Sequence, residues 1–202
     1  DQPSHERCVV KRSAELQLQT RLIGAANHAS HELPPWLVAD LRADHAGEAG
    51  AVMMYRGILS VSKDPHVRAF AERHLRTECG HLASIAEIMP ARSQTQLLPI
   101  WRMMGWLTGA LSALLGPRAV FANVQAVETF VDHHYQEQII RLSAEGPFAD
   151  VRQLLADCRQ DEIDHRDEAA GLTMGNVGHM AKCWQVLIAM KFKVAVWLAR
   201  KF

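Results

Sequence analysis

No Cys-x-x-Cys pair occurs among the four cysteines, Cys8, Cys79, Cys158 and Cys183. That argues against a zinc or rubredoxin-type site and suits a reducing compartment. Net charge is missing too: 22 Lys and Arg offset 22 Asp and Glu, so no overall field draws nucleic acid or an acidic substrate. Strand signals are nearly absent, and aromatic residues make up only 6% of the chain. Residues 1–15 carry charges throughout with no apolar run, so no secretory signal is expected there. Nor is there an unbroken apolar stretch fit to span a membrane, which takes about 20 residues with few or no charges. The two most apolar segments, 97–117 and 180–202, are interrupted by Pro99, Arg102 and Pro117 and by Lys191 and Lys193.

What is present is a helical pattern. With 202 residues and 49% apolar content, the chain suits one domain with a sizeable core, 1–202. An N-terminal extension, 1–33, contains an amphipathic helix predicted over 13–30. Pro34-Pro35 opens a helix running to about residue 61, with Leu41, Asp44, Glu48, Val52 and Tyr55 on one face. A second starts near Pro65 behind an Asp64 cap and stops before Pro90. The apolar crossover 97–117 follows, then helices over about 118–144 and 148–170, and last the basic, apolar segment 180–202. Both apolar segments match helices lying in a lipid interface, with Trp101, Trp106, Trp184 and Trp197 at the boundary.

One pattern occurs twice. Glu78-Cys79-Gly80-His81 and Glu162-Ile163-Asp164-His165 are the two Glu-x-x-His sequences in the chain. Twelve Glu and eleven His would produce roughly one by chance. Residues three apart on an α-helix share a face, so each motif offers a carboxylate and an imidazole to one point. A further helical Glu precedes each motif, Glu48 by thirty residues and Glu128 by thirty-four. These six residues are the ligand set of a ferritin-like di-iron bundle, so the expected fold is all-α, a four-helix bundle with two extra apolar helical segments for membrane contact. Four carboxylates neutralise two Fe(II), and the mixed oxygen and imidazole set permits iron redox cycling.

Asp161, beside Glu162, and Asp44, one turn before Glu48, are candidates to receive the outer N–H of a ligating His. His134 and Tyr135 lie near the Glu128 face two turns on, placed to donate to a substrate oxygen, carry a proton or simply pack. Gly47, Ala49, Gly50 and Ala51 leave room for a planar substrate or for close helix packing.

From about Leu41 onward the chain resembles the demethoxyubiquinone hydroxylase family of ubiquinone biosynthesis. The resemblance is carried by Asp44-His-Ala-Gly-Glu48, by the run LLPIWRMMGWLTGALSALLG, by Ala126-Val-Glu128 with His133-His134-Tyr135, and by Asp161-Glu162-x-x-His165. It implies two irons held by Glu48, Glu78, His81, Glu128, Glu162 and His165, dioxygen as co-substrate and reducing equivalents from NADH. It also implies a polyprenylated methoxy-benzoquinol substrate, with His134 and Tyr135 at positions linked to substrate or electron delivery. The location it implies is peripheral, on the cytoplasmic side of a bacterial cell membrane or the matrix side of the mitochondrial inner membrane. Expected partners are the lipid surface and a homo-oligomer or ubiquinone-biosynthesis complex, and no nucleic acid. Lys193 and Trp197 stand where some members carry Arg and Tyr. Two other readings use the same ligands: an oxygenase or oxidase acting on another lipid quinone or ring position, and a ferritin-like iron store. The exposed apolar surface of a soluble cage speaks against the store.

Overall fold

The computed structural model describes residues 33–90, 92–144, 146–173 and 194–201, and every regular element among them is helical. The helix expected over 13–30 and residues 180–193 of the last segment, Lys193 included, lie outside the described residues. Five helices are α1 (Pro35–Val61), α2 (Pro65–Ile88), α3 (Leu98–Leu114), α4 (Pro117–Arg141) and α5 (Ala149–Leu172). Residues 194–201 are helical as well.

Local chemistry sets these boundaries. Pro35, Pro65, Pro99 and Pro117 each occupy a first helical turn, where a missing N–H costs nothing. Asp64 caps α2, its Oδ1 accepting from the backbone N–H of His66 at 2.8 Å and Val67 at 3.1 Å. Between α3 and α4 the chain turns at Gly116, whose φ of 99° L side chains rarely adopt.

α1 and α2 form one hairpin and α4 and α5 another, with α2 touching α5. This is the ferritin-like arrangement. Two apolar clusters fill its ends. One gathers Met54, Ile58, Phe70, Val120 and Phe121, and the other Leu37, Leu41, Ile85, Leu154 and Leu155. Along each bundle helix the six residues singled out above fall between these clusters.

The crossover helix α3 lies lengthwise on α1. Backbone meets backbone there: a Cβ added at Gly105 would strike the Gly50 carbonyl, at Gly109 the Met54 carbonyl, and at Gly57 the Trp106 carbonyl. Small residues permit this approach, as in helices that associate within lipid. Residues 194–201 seat on the same side, where Val196 and Ala199 cluster with Ala43, Ala46 and Trp101. Their far end is tied down by Arg200, whose Nε lies 2.9 Å from Oδ1 of the buried Asp40. Oδ2 of Asp40 accepts from Arg141 at 2.8 Å.

Candidate metal centre

Glu48 comes from α1, Glu78 and His81 from α2, Glu128 from α4, and Glu162 and His165 from α5, and all six are buried. They form two overlapping groups, Glu48, Glu78, His81 and Glu162, and Glu78, Glu128, Glu162 and His165. Within each group one ligand atom per residue lies within 4.8 Å of every other. Glu78 and Glu162 belong to both, so they stand between two positions.

Both imidazoles turn Nδ1 inward. His81 Nδ1 is 3.0 Å from Glu162 Oε1, and His165 Nδ1 is 3.1 Å from Glu78 Oε1. Neither pair has hydrogen-bond geometry. Glu48 Oε2, Glu78 Oε1, both Glu162 oxygens and both Nδ1 atoms are buried without a hydrogen-bond partner. Groups left so at a shared centre could hold a cation. Among the described residues no Lys or Arg reaches the four carboxylates within 4 Å.

The electrostatics agree. Burial, then the charges of Glu162 and Glu48, raises the Glu78 carboxyl well above its ordinary range. Burial, then Glu162 and Glu78, does the same to Glu128. Burial also pulls Glu162 upward, but the close imidazoles of His165 and His81 outweigh it and hold this carboxyl low. Burial lowers both imidazoles, and the acidic groups around them more than reverse that, so His81 and His165 sit above the ordinary value. Carboxylates and imidazoles so crowded hold protons where divalent ions would relieve the repulsion. Hard oxygens, two imidazoles and a formal charge matching two divalent ions fit iron.

Around the six lies a shell of partners. His81 Nε2 stands 3.2 Å from Asp161 Oδ2. Asp44, expected beside a ligating imidazole, faces α4 instead and is within 2.9 Å of His134 Nε2 and 2.6 Å of Gln138 Nε2. Spacing along α1 gave Asp44 its face but not its neighbour. Tyr135 donates to Glu48 Oε1, and Tyr55 donates to Glu128 Oε1 at 3.1 Å. Sequence reasoning gave no site role to Tyr55, although each tyrosine lies seven residues after one of these glutamates, and the chain has only two. His74 was passed over as well. Its ring meets that of His165 at 3.9 Å and 76°, and burial lowers its pKa to about 4.

A cavity of about 560 Å³ opens onto the centre. Its floor includes Glu48, Glu78, Glu128 and Glu162, and Asp44, His134 and Tyr135 line it above. Trp101 and Met104 of α3, Val127 and Phe130 of α4, and Val196 and Leu198 supply apolar walls. Gly47 has open space beside it, whereas Gly50 packs under Trp101.

The family model described as "Ubiquinone biosynthesis protein COQ7" matches residues 36–199. The 3-demethoxyubiquinol 3-hydroxylase of Rhodospirillum rubrum is 31% identical over 99% of this chain and 92% of its own. The mitochondrial NADPH-dependent 3-demethoxyubiquinone 3-hydroxylase of Homo sapiens is 32% identical over 80% of this chain and 76% of its own. The mitochondrial 5-demethoxyubiquinone hydroxylase of Saccharomyces cerevisiae is 27% identical over the same shares.

Proposed function

The chain belongs to the family of ubiquinone biosynthesis protein COQ7, and from that premise we propose that it hydroxylates the ring of a demethoxyubiquinol with dioxygen at a two-iron centre, while lying against a lipid surface. It is a hydroxylase of ubiquinone biosynthesis. The observation that carries the finer reading is the 560 Å³ cavity: apolar walls, a floor of four buried carboxylates, and an edge formed by α3 and 194–201. A quinol ring, with its two oxygens, fits a site whose polar groups gather at its base, and a polyprenyl tail fits the apolar exit.

Glu48, Glu78, His81, Glu128, Glu162 and His165 would hold the irons, which when bound supply the activation of dioxygen for ring hydroxylation. The other roles fall to the protein. The walls of Trp101, Met104, Val127 and Phe130 keep water from the floor. Tyr135 holds Oε1 of Glu48, which leaves Oε2 to face the centre, and Tyr55 does the same for Glu128. Asp44 Oδ1 accepts from Nε2–H of His134, and Gln138 donates to the same oxygen, so Nδ1 is the nitrogen offered to a quinol hydroxyl and the atom that takes up its proton. The electron source is a reduced nicotinamide nucleotide; the human relative is named NADPH-dependent, while the resemblance in sequence implies NADH.

No helix among the described residues is long and apolar enough to cross a membrane. The outer face of α3 nevertheless exposes Ile100, Met103, Leu111 and Leu114, and residues 194–201 expose Val194 and Trp197. Such a face suits peripheral binding in the lipid interface, at the bacterial cytoplasmic membrane or its mitochondrial counterpart.

The test is mass spectrometry of the quinone pool in a strain lacking its demethoxyubiquinone hydroxylase, with and without this chain. Replacement of the demethoxy intermediate by mature quinone is expected. Persistence of the intermediate beside an expressed, iron-loaded protein would place the substrate elsewhere. Glu128→Ala and Glu162→Ala should lose iron and activity together.

A further inference from the structure

The two halves of the centre match in ligands and differ in what stands behind them. Behind His81 is a carboxylate, with Asp161 Oδ2 3.2 Å from Nε2. Among the described residues no carboxylate hydrogen-bonds the outer nitrogen of His165. An imidazole stands against that ring instead, His74, with centroids 3.9 Å apart and planes at 76°. His74 is itself fixed from outside. Its Nε2 lies 3.0 Å from Glu168 Oε2, and Arg73 donates to the other oxygen of that carboxylate. Arg73 and Glu168 are each about a third exposed, so this chain of three side chains runs from the surface to the second imidazole. His74 also stacks on Tyr55 at 5.8 Å and 26°, and Tyr55 holds Glu128. One buried ring therefore steadies both residues that belong to the second group alone, His165 directly and Glu128 through Tyr55.

A carboxylate behind a ligating imidazole fixes its tautomer and makes it a stronger donor, and removing such a partner typically costs 10–100-fold in metal affinity. A neighbouring ring supplies shape without that charge. We propose that the two metal positions are unequal by construction. The Glu48–His81 position fills first and holds its ion tighter, and the Arg73–Glu168–His74 chain is the positioning device that makes the Glu128–His165 position bind at all tightly. The inference rests on the two-metal reading above. His74 and Glu168 are positioning residues, since both act through His165 and Tyr55.

The experiment is titration of chelator-stripped full-length protein with Co(II), followed by its visible absorption and by calorimetry, alongside the melting temperature of each metal-free variant. Wild type is expected to take up two ions in two resolved steps. Glu168→Gln and His74→Phe should weaken the second step by roughly 10-fold or more and leave the first in place. Asp161→Asn should weaken the first and narrow the gap. Phe at 74 keeps a ring against Phe70 and His165 but cannot bond Glu168. Should that variant fail to fold, Glu168→Gln at the surface decides alone. One unresolved step in wild type, or equal shifts of both steps in the Glu168 variant, or none, would overturn the inequality. Absence of any uptake by wild type would overturn the metal centre itself, and the inference with it.

Discussion

At the residue scale the centre is crossed. Tyr55 and Tyr135 each sit seven residues past a glutamate of the set, and each donates to the glutamate of the other helix, Tyr55 to Glu128 and Tyr135 to Glu48. A hydrogen bond to a charged group contributes about 1.5–3 kcal/mol. Tyr55→Phe and Tyr135→Phe should therefore both lower iron retention, measured as metal content after dialysis against a chelator. Only Tyr135 lines the cavity, so only its variant should also raise KM for the quinol. Equal KM effects would show that the cavity is not where substrate binds. A pH dependence follows from the same groups. Glu78 and Glu128 are raised in the folded chain, so folding takes up protons and stability falls as pH rises above their unfolded value of 4.5. His81 and His165 are raised too, and their contribution, complete below 6.5, is lost as pH climbs through the folded values. Glu162 is lowered and works oppositely, but only at acid pH below 4.5. The lowered imidazoles of His74 and His45 oppose this below 6.5, so melting temperatures of the metal-free protein should fall between about pH 6.5 and pH 8, and saturating divalent metal should flatten the slope. A metal-free profile that rises across this range would contradict the charge arrangement. The Glu-x-x-His repeat made the candidate centre legible because three-residue spacing fixes a shared helix face. The crossed tyrosines and the His74–Glu168 contact were not, since each joins residues more than seventy positions apart and spacing along a helix does not say which helix lies opposite.

At the scale of elements, the prolines, the Asp64 cap and Gly116 made the helix limits readable from the chain, because each acts within one turn of itself. The course of α3 was not readable. Its apolar composition predicts a crossover, but its seat along α1 depends on backbone contact at Gly50, Gly57, Gly105 and Gly109, two pairs about fifty residues apart. The small residues near Glu48 serve both purposes considered for them: Gly50 takes Trp101, while Gly47 borders the cavity. Gly109→Ala should force α1 and α3 apart at a cost of roughly 1–3 kcal/mol or more, read by denaturant unfolding. Gly47→Ala meets no atom within 4 Å and, in a helix interior, should raise stability by up to about 1 kcal/mol. Equal costs at the two positions would refute the packing described.

At the scale of the whole molecule, the cavity joins the centre to the elements that carry the apolar face. The ion pair of Arg200 with Asp40 holds 194–201 against the bundle, and that segment with α3 forms both the cavity wall and the outer apolar edge. The expectation of lipid contact rested on composition, because the two apolar segments each hold more apolar residues than one helix face can bury. The exposure of Leu111 at 57% and Leu114 at 69% gives that excess a direction, away from α1. Charge placed there should disturb lipid binding without reaching the metal ligands. The double substitution Leu111→Asp with Leu114→Asp is expected to abolish flotation with anionic phospholipid vesicles while iron content and melting temperature hold. Turnover should separate by substrate: a long-tailed quinol presented in vesicles loses most of its rate, and a short-tailed soluble analogue keeps it, since the cavity and its floor are untouched. Loss of both rates together would mean that the face supports the bundle rather than the substrate's approach, and unchanged flotation would mean that lipid meets the protein elsewhere.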